Sequence, residues 1–166
     1  MNYAAVNLGF RGFERAQTAY RRAIELRPND YDAHLGLGVA LRGAIAGDAD
    51  RDALAAKLAA VATEIAAAKR IDESRPEAFY NEGIFLHELE TMRTRNSTTD
   101  TIAVLERAEQ SFRTFLAKAK GKAGYEDAIT RASERLQDIT PTKAFLRVPL
   151  PPSSSPPAPP QPARMP

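Results

Sequence analysis

Two prolines divide most of this chain into helical runs, and a glycine follows each at a matching place. Before Pro28 the apolar and small positions are Phe13, Ala16, Tyr20, Ala23, Ile24 and Leu26. Most lie three or four residues apart, which puts them on one face of a helix. Pro28-Asn29-Asp30 interrupts that helix, and Asp30 is placed to cap the next one. "AAAKRIDESRPEAFYNEG" repeats the scheme around Pro76, and Gly38 and Gly83 each fall seven residues into their own element. A glycine inside a helix costs roughly 1 kcal/mol relative to alanine. Close packing of a neighbouring helix explains accepting that cost twice.

The 166 residues are 43% apolar, enough for one domain with a core and hardly for two. With 23 basic against 21 acidic residues, the isoelectric point near 9.0 rests on a small excess and says little about a polyanionic partner. The chain has no cysteine, which excludes disulfide, zinc-thiolate and thiol chemistry. No apolar run reaches the roughly 18 residues that a membrane-spanning helix needs. The opening "MNYAAVNLGF" lacks the basic-then-apolar order of a signal peptide. From Pro149 the sequence reads "PLPPSSSPPAPPQPARMP", which favours polyproline II and cannot form a packed core. The expected organisation is a helical domain over 1–147 and a proline-rich disordered tail over 148–166.

The repeats resemble the tetratricopeptide repeat (TPR) family, stacks of antiparallel helix pairs with a period of about 34 residues. "GFERAQTAYRRAIELRP" supplies Phe13, Ala16, Tyr20, Ala23 and Pro28 at the spacing of a complete second helix. "YDAHLGLGVAL" supplies His34, Leu37, Gly38 and Leu41 as the following first helix, and "PEAFYNEGIFL" supplies Phe79, Glu82, Gly83 and Leu86 as another. The resemblance covers about residues 1–140. It implies an all-α, TPR-like helical solenoid of about three antiparallel helix pairs plus a C-terminal capping helix. Pro28 then marks a junction between stacked units. The alanine- and arginine-rich repeats with a proline-rich end also resemble TPR components of bacterial envelope and gliding-motility machineries.

The chain departs from the family pattern in several places. His34 stands where the family prefers tryptophan, Glu82 where it prefers leucine, and Phe115 where it usually has alanine. The unit from Tyr31 to Arg75 is 45 residues long, so "GAIAGDADRDALAAK" is read as a longer loop and an extended second helix. A further insertion falls in "HELETMRTRNSTTDT", where Ser97 to Asp100 offers a cap for the next helix. That helix carries Leu105, Ala108, Phe112, Phe115 and Leu116 as its buried stripe. A last helix, roughly Tyr125 to Asp138, has Tyr125, Ala128, Ile129, Ala132 and Leu136 on one side and charge on the other, as a terminal cap requires. After it, "KAFLRVPL" (Lys143 to Leu150) reads as an apolar strip that packs back or docks elsewhere. Counted back from Ala16, Met1 falls inside the first helix of the first repeat. Either that repeat is abbreviated, which fits a cytoplasmic protein, or the chain is a piece of a longer array, which leaves a periplasmic or envelope location open.

Catalysis needs a nucleophile, a matched acid and base, or a metal, in convergent geometry. His34 falls on a packed helix face. His87, in "FLHELE", lacks the second histidine of an HExxH arrangement and reads as a solvated helix end. Gly36 and Gly38 lie within a helix and not in a phosphate-cradling loop before one. The sequence therefore points away from an enzyme, a metal site or a cofactor. The basic clusters Arg21-Arg22, Lys69-Arg70 and Arg93/Arg95 have acidic or polar company, which argues against nucleic acid. "AKAKGKAG", from Lys118 to Lys122, is the one locally unbalanced patch and the alternative site for an acidic partner.

What remains is protein binding. Repeat solenoids present a concave surface, and the family's inner positions map here onto Asp32, Leu35, Val39 and Arg42, then Glu77, Tyr80, Ile84 and His87. The resemblance implies a scaffold or adaptor that holds a peptide or amphipathic helix on Leu35, Val39, Arg42, Tyr80, Ile84 and His87. A carboxylate clamp of inner Lys, Asn and Arg residues is not expected, because these places are mostly apolar or acidic. The competing expectation is a structural subunit whose groove is filled within a larger assembly. The P-x-x-P spacings of the tail allow a second mode, recognition by an aromatic groove.

Overall fold

The structure, a computed structural model, describes residues 12–45 and 51–148. The order is α1 (Phe13–Leu26), α2 (Tyr31–Gly43), α3 (Arg51–Ile71), α4 (Glu77–Phe85), a π-helical turn (Leu86–Glu90), α5 (Thr91–Thr94), α6 (Thr98–Ala119) and α7 (Glu126–Leu146), with no strand among the described residues. Each long helix packs chiefly on the next, and α2 also meets α4. This is the series of antiparallel pairs of a TPR-like solenoid, with α2–α3 and α4–α6 as complete pairs and α7 closing the stack. The first helix expected before α1 falls on residues 1–11, and the proline-rich tail on 149–166, both outside the described residues.

Local chemistry sets the junctions. Asp30 Oδ1 accepts from the Ala33 amide at 3.0 Å and starts α2 as the sequence implies. Ser97 Oγ accepts from the Asp100 amide at 3.3 Å and starts α6. Pro76 opens α4 but has no side-chain acceptor to offer. The Ala78 amide donates instead to the Tyr31 hydroxyl, at 3.0 Å, so α2 caps the helix of the next unit.

Two glycine positions explain the close helix approach. A Cβ on Gly83 would lie 2.6 Å from the Phe112 ring, and one on Gly36 would lie 2.2 Å from the Tyr20 ring. At Gly38 the nearest atom is a methylene of Ile65, at 3.1 Å, so the tightest contact in α2 falls at Gly36.

The apolar residues form one large core and two smaller ones. The large core joins α3, α4, α6 and α7 through Leu58, Val61, Phe85, Leu105, Phe112 and Ile139. Phe115 is 1% exposed, and its ring centroid lies 5.0 Å from that of Tyr80, so the aromatic fills space that the family leaves to alanine. Ala16, Tyr20, Ala33, Leu37 and Ala40 join α1 to α2. Tyr31, Ala68 and Ala78 form the third cluster at the junction of α2, α3 and α4.

The insertions extend helices. α3 runs for 21 residues, as expected of an extended second helix. The other insertion prolongs α4 through the π-helical turn and α5, and only Arg95 to Ser97 separate it from α6. The last helix also runs further than expected, past Pro141 to Leu146. Lys143 bonds to Glu109, and Arg147 Nη2 donates to Glu106 at 2.7 Å, so α6 holds the turns beyond the proline. Lys143 to Leu146 is therefore helix and not a strip after it, with Leu146 against the core and Phe145 exposed.

Candidate functional site

The inner helices α2, α4 and α7 are tied together at their starts. Tyr31 donates to Glu77 Oε2 at 3.4 Å, and Tyr125 donates to Glu77 Oε1 at 2.7 Å. Arg75 lies with its guanidinium 3.9 Å from the Tyr31 ring centroid, donates to Asp32 at 2.8 Å and to Glu77 at 3.3 Å. Burial acts to raise the Glu77 carboxyl, but the Tyr125 hydroxyl, the backbone and Arg75 outweigh it and hold it below the ordinary range. Burial pushes the Tyr31 hydroxyl well above its ordinary value, so it stays protonated. Asp32 and Glu77, two of the inner positions, thus hold the units in register.

Further along these helices the expected groove residues divide. Leu35 is half-buried against Tyr31, Ala68 and Ala78, and Val39, one turn on, is half-buried too. The Tyr80 ring meets Phe112 edge-on and Phe115 at a tilt, with centroids at 6.2 and 5.0 Å, and is half-buried. Ile84 is only 8% exposed and belongs to the large core, where the sequence pattern placed it as an anchor.

His87 is not a solvated helix end: it is half-buried in the π-helical turn, with Nδ1 3.4 Å from Arg135 Nη1 on α7. Glu88, beside it, accepts from Arg135 Nη2 at 2.6 Å. Burial and Arg135 hold the His87 imidazole below its ordinary value, which keeps it neutral. Glu88, Tyr80 and Arg135 are the groups that act on the Arg42 guanidinium, itself lowered chiefly by burial. The structure therefore brings together His87, Glu88 and Arg135, and Glu88, Tyr80 and Arg135 act electrostatically on Arg42. Sequence reasoning set Glu88 aside as pointing off the face of His87, and it missed Arg135. The π turn brings Glu88 round, and α7 supplies Arg135 from 48 residues away.

Both family departures in the first helices are satisfied by polar partners. His34 Nδ1 lies 2.7 Å from Glu64 and Nε2 lies 2.9 Å from the Pro28 carbonyl. Glu82 accepts from Lys69 at 2.7 Å and from Ser111 at 2.8 Å. The basic patch is broken up: Lys118 is half-buried with its ammonium 5.1 Å from the Phe79 ring centroid, leaving Lys120 and Lys122 exposed in the turn before α7. No group of three or more His, Asp or Glu suited to a metal occurs among the described residues. No described helix is long and apolar enough to cross a membrane.

No family model and no curated protein matches this chain. Twelve solved chains do match. One is the type III secretion translocator chaperone SycD of Yersinia enterocolitica, 16% identical, with a TM-score of 0.65, covering 85% of this chain and 81% of that one. At that identity the likeness shows the fold, a TPR-like helical solenoid, and nothing further.

Proposed function

We propose that the protein is a non-catalytic adaptor that holds a segment of a protein partner on its inner face. The observation that carries this reading is the row Leu35, Val39 and Arg42 on α2. It is incompletely covered, its helix meets α4, and the Tyr31–Arg75–Glu77 contacts fix its register. Val39 and Leu35 offer apolar contact one turn apart, which suits an amphipathic helix or an extended apolar segment. SycD, named as a chaperone for a translocator, has the same fold, and a holding role of that kind is the form we favour. Placement within a bacterial envelope or motility assembly is part of the proposal, supported by the repeat composition and the proline-rich end.

The test uses the full chain as bait, wild type beside Val39→Asp, with circular dichroism verifying that both are folded. A partner identified by mass spectrometry should bind Val39→Asp at least about tenfold more weakly, or about 1.4 kcal/mol. A Lys120→Glu, Lys122→Glu double variant should retain it. Equal capture by wild type and Val39→Asp, with loss in the lysine variant, would move the site to the turn before α7.

A further inference from the structure

A guanidinium only donates, so whatever it bonds to must offer a lone pair. Arg135 on α7 reaches the π-helical turn Leu86–Glu90 with both terminal nitrogens. Nη2 donates to Glu88 at 2.6 Å, and Nη1 lies 3.4 Å from His87 Nδ1. The second contact is a hydrogen bond only while Nδ1 carries no proton. Successive residues on a regular helix diverge by about 100°, yet His87 and Glu88 meet one guanidinium, a juxtaposition that the π turn provides. The turn has its own bond of longer register, from the Thr91 amide to the Leu86 carbonyl five residues back. The Thr91 hydroxyl meanwhile donates to the His87 carbonyl at 2.6 Å. Such turns within helices are frequent at functional positions.

A proton on Nδ1 would remove the acceptor and set an imidazolium against a guanidinium. His87 is half-buried, so water screens that repulsion poorly. The charged groups acting on the ring are Arg135 and Asp138 from α7 and Glu88 from its own turn. Among the described residues, α4, α5 and α6, which pack on the turn, add none, and Arg93 of α5 is paired with Glu90 at 2.8 Å. Arg42, on α2, is coupled to Glu88 and Arg135 and not to the ring. Burial and Arg135 outweigh the two carboxylates, which agrees with an imidazole that is neutral when it meets Arg135.

We propose that His87 is a proton-sensitive latch between the π turn and α7, closed by the neutral ring on Arg135 and released by the imidazolium. Glu88 keeps Arg135 on release, so the turn loses one of its two ties to that guanidinium. A histidine that takes a proton more readily when released than when latched costs stability as the pH falls below 6.5. The cost grows down to the latched value and is constant beneath it, and above 6.5 the latch adds no pH dependence. His87 is one of the inner positions, so the same proton alters that end of the inner face. The latch stands without the adaptor reading and adds a regulation to it.

The experiment is native-state hydrogen exchange on the full chain at about pH 8 and about pH 5, the range in which a histidine changes charge. Rates are expressed as protection factors, so that the intrinsic pH dependence cancels. The Thr91 amide reports the turn, and the Phe112 amide in the core reports global opening. Relative to Phe112, Thr91 should lose at least about threefold in protection at the lower pH. His87→Gln offers an acceptor at every pH and does not titrate, so it should abolish the loss. No loss in the wild type, or an equal loss in His87→Gln, would overturn the latch. NMR of the His87 ring gives a second decision should His87→Gln fail to fold. The ring should titrate below 6.5, and a midpoint at or above that value would overturn the proposal.

Discussion

Glu82 occupies a position where an apolar residue would read as correct, and its surroundings show what replacing it should do. Its carboxylate takes bonds from Lys69 and Ser111, but neither donor depends on it equally. Ser111 has a second acceptor, the Arg107 carbonyl at 3.0 Å, and Lys69 lies beside the Phe79 ring, with its side chain 27% exposed. Glu82→Leu is therefore expected to stay within about 1 kcal/mol of the wild type, because an ion pair exchanged for apolar volume is often neutral. Lys69→Met is expected to cost about 1–2 kcal/mol, since it strips a half-buried carboxylate of its charged donor. Urea denaturation of the two variants checks the order, and the reverse ranking would mean that the pair is not organised as described. The sequence marked Glu82 as a departure but not its remedy, because Lys69 and Ser111 come from two other helices.

At the scale of elements, punctuation was the legible part. Pro28, the Asp30 cap, the Ser97 cap and Gly83 are local, and the structure places helix ends and a close approach where those residues imply, although in α2 the tightest approach falls at Gly36 and not at Gly38. Three features were not legible. The π turn reflects how α4 meets α6 and α7. The run of α7 past Pro141 depends on Lys143 and Arg147 reaching α6. Ile84 was assigned to the groove by its repeat position, and the large core absorbed it. The two signature glycines should also behave differently. Alanine at either gains roughly 1 kcal/mol of helix propensity, but at position 83 it meets the Phe112 ring, which is 0% exposed and cannot withdraw. Gly83→Ala is expected to destabilise by about 1–3 kcal/mol, whereas Gly38→Ala, facing a methylene of Ile65, should remain within about 1 kcal/mol of wild type. Chemical denaturation with unchanged slope would measure both. Equal effects would show that the Gly83 contact is not tight.

Across the whole molecule, stability should be graded, because each helix rests mainly on its sequence neighbours. The α1–α2 cluster is built largely of alanines, whereas the α3–α7 core contains Phe85, Phe112, Phe115, Leu58 and Ile139. Native-state hydrogen exchange should find α1 opening by at least about 1.4 kcal/mol, a factor of ten, more readily than α6. A single opening free energy shared by all helices would contradict this. The same arrangement determines how the protein responds to force. Pulled from its two ends, a chain whose helix contacts are chiefly between neighbours has few long-range clasps to rupture at once. It should lengthen in steps, shedding α1 first, while the aromatic core from α4 to α7 holds until last. Such a stack would act as a spring with one soft end.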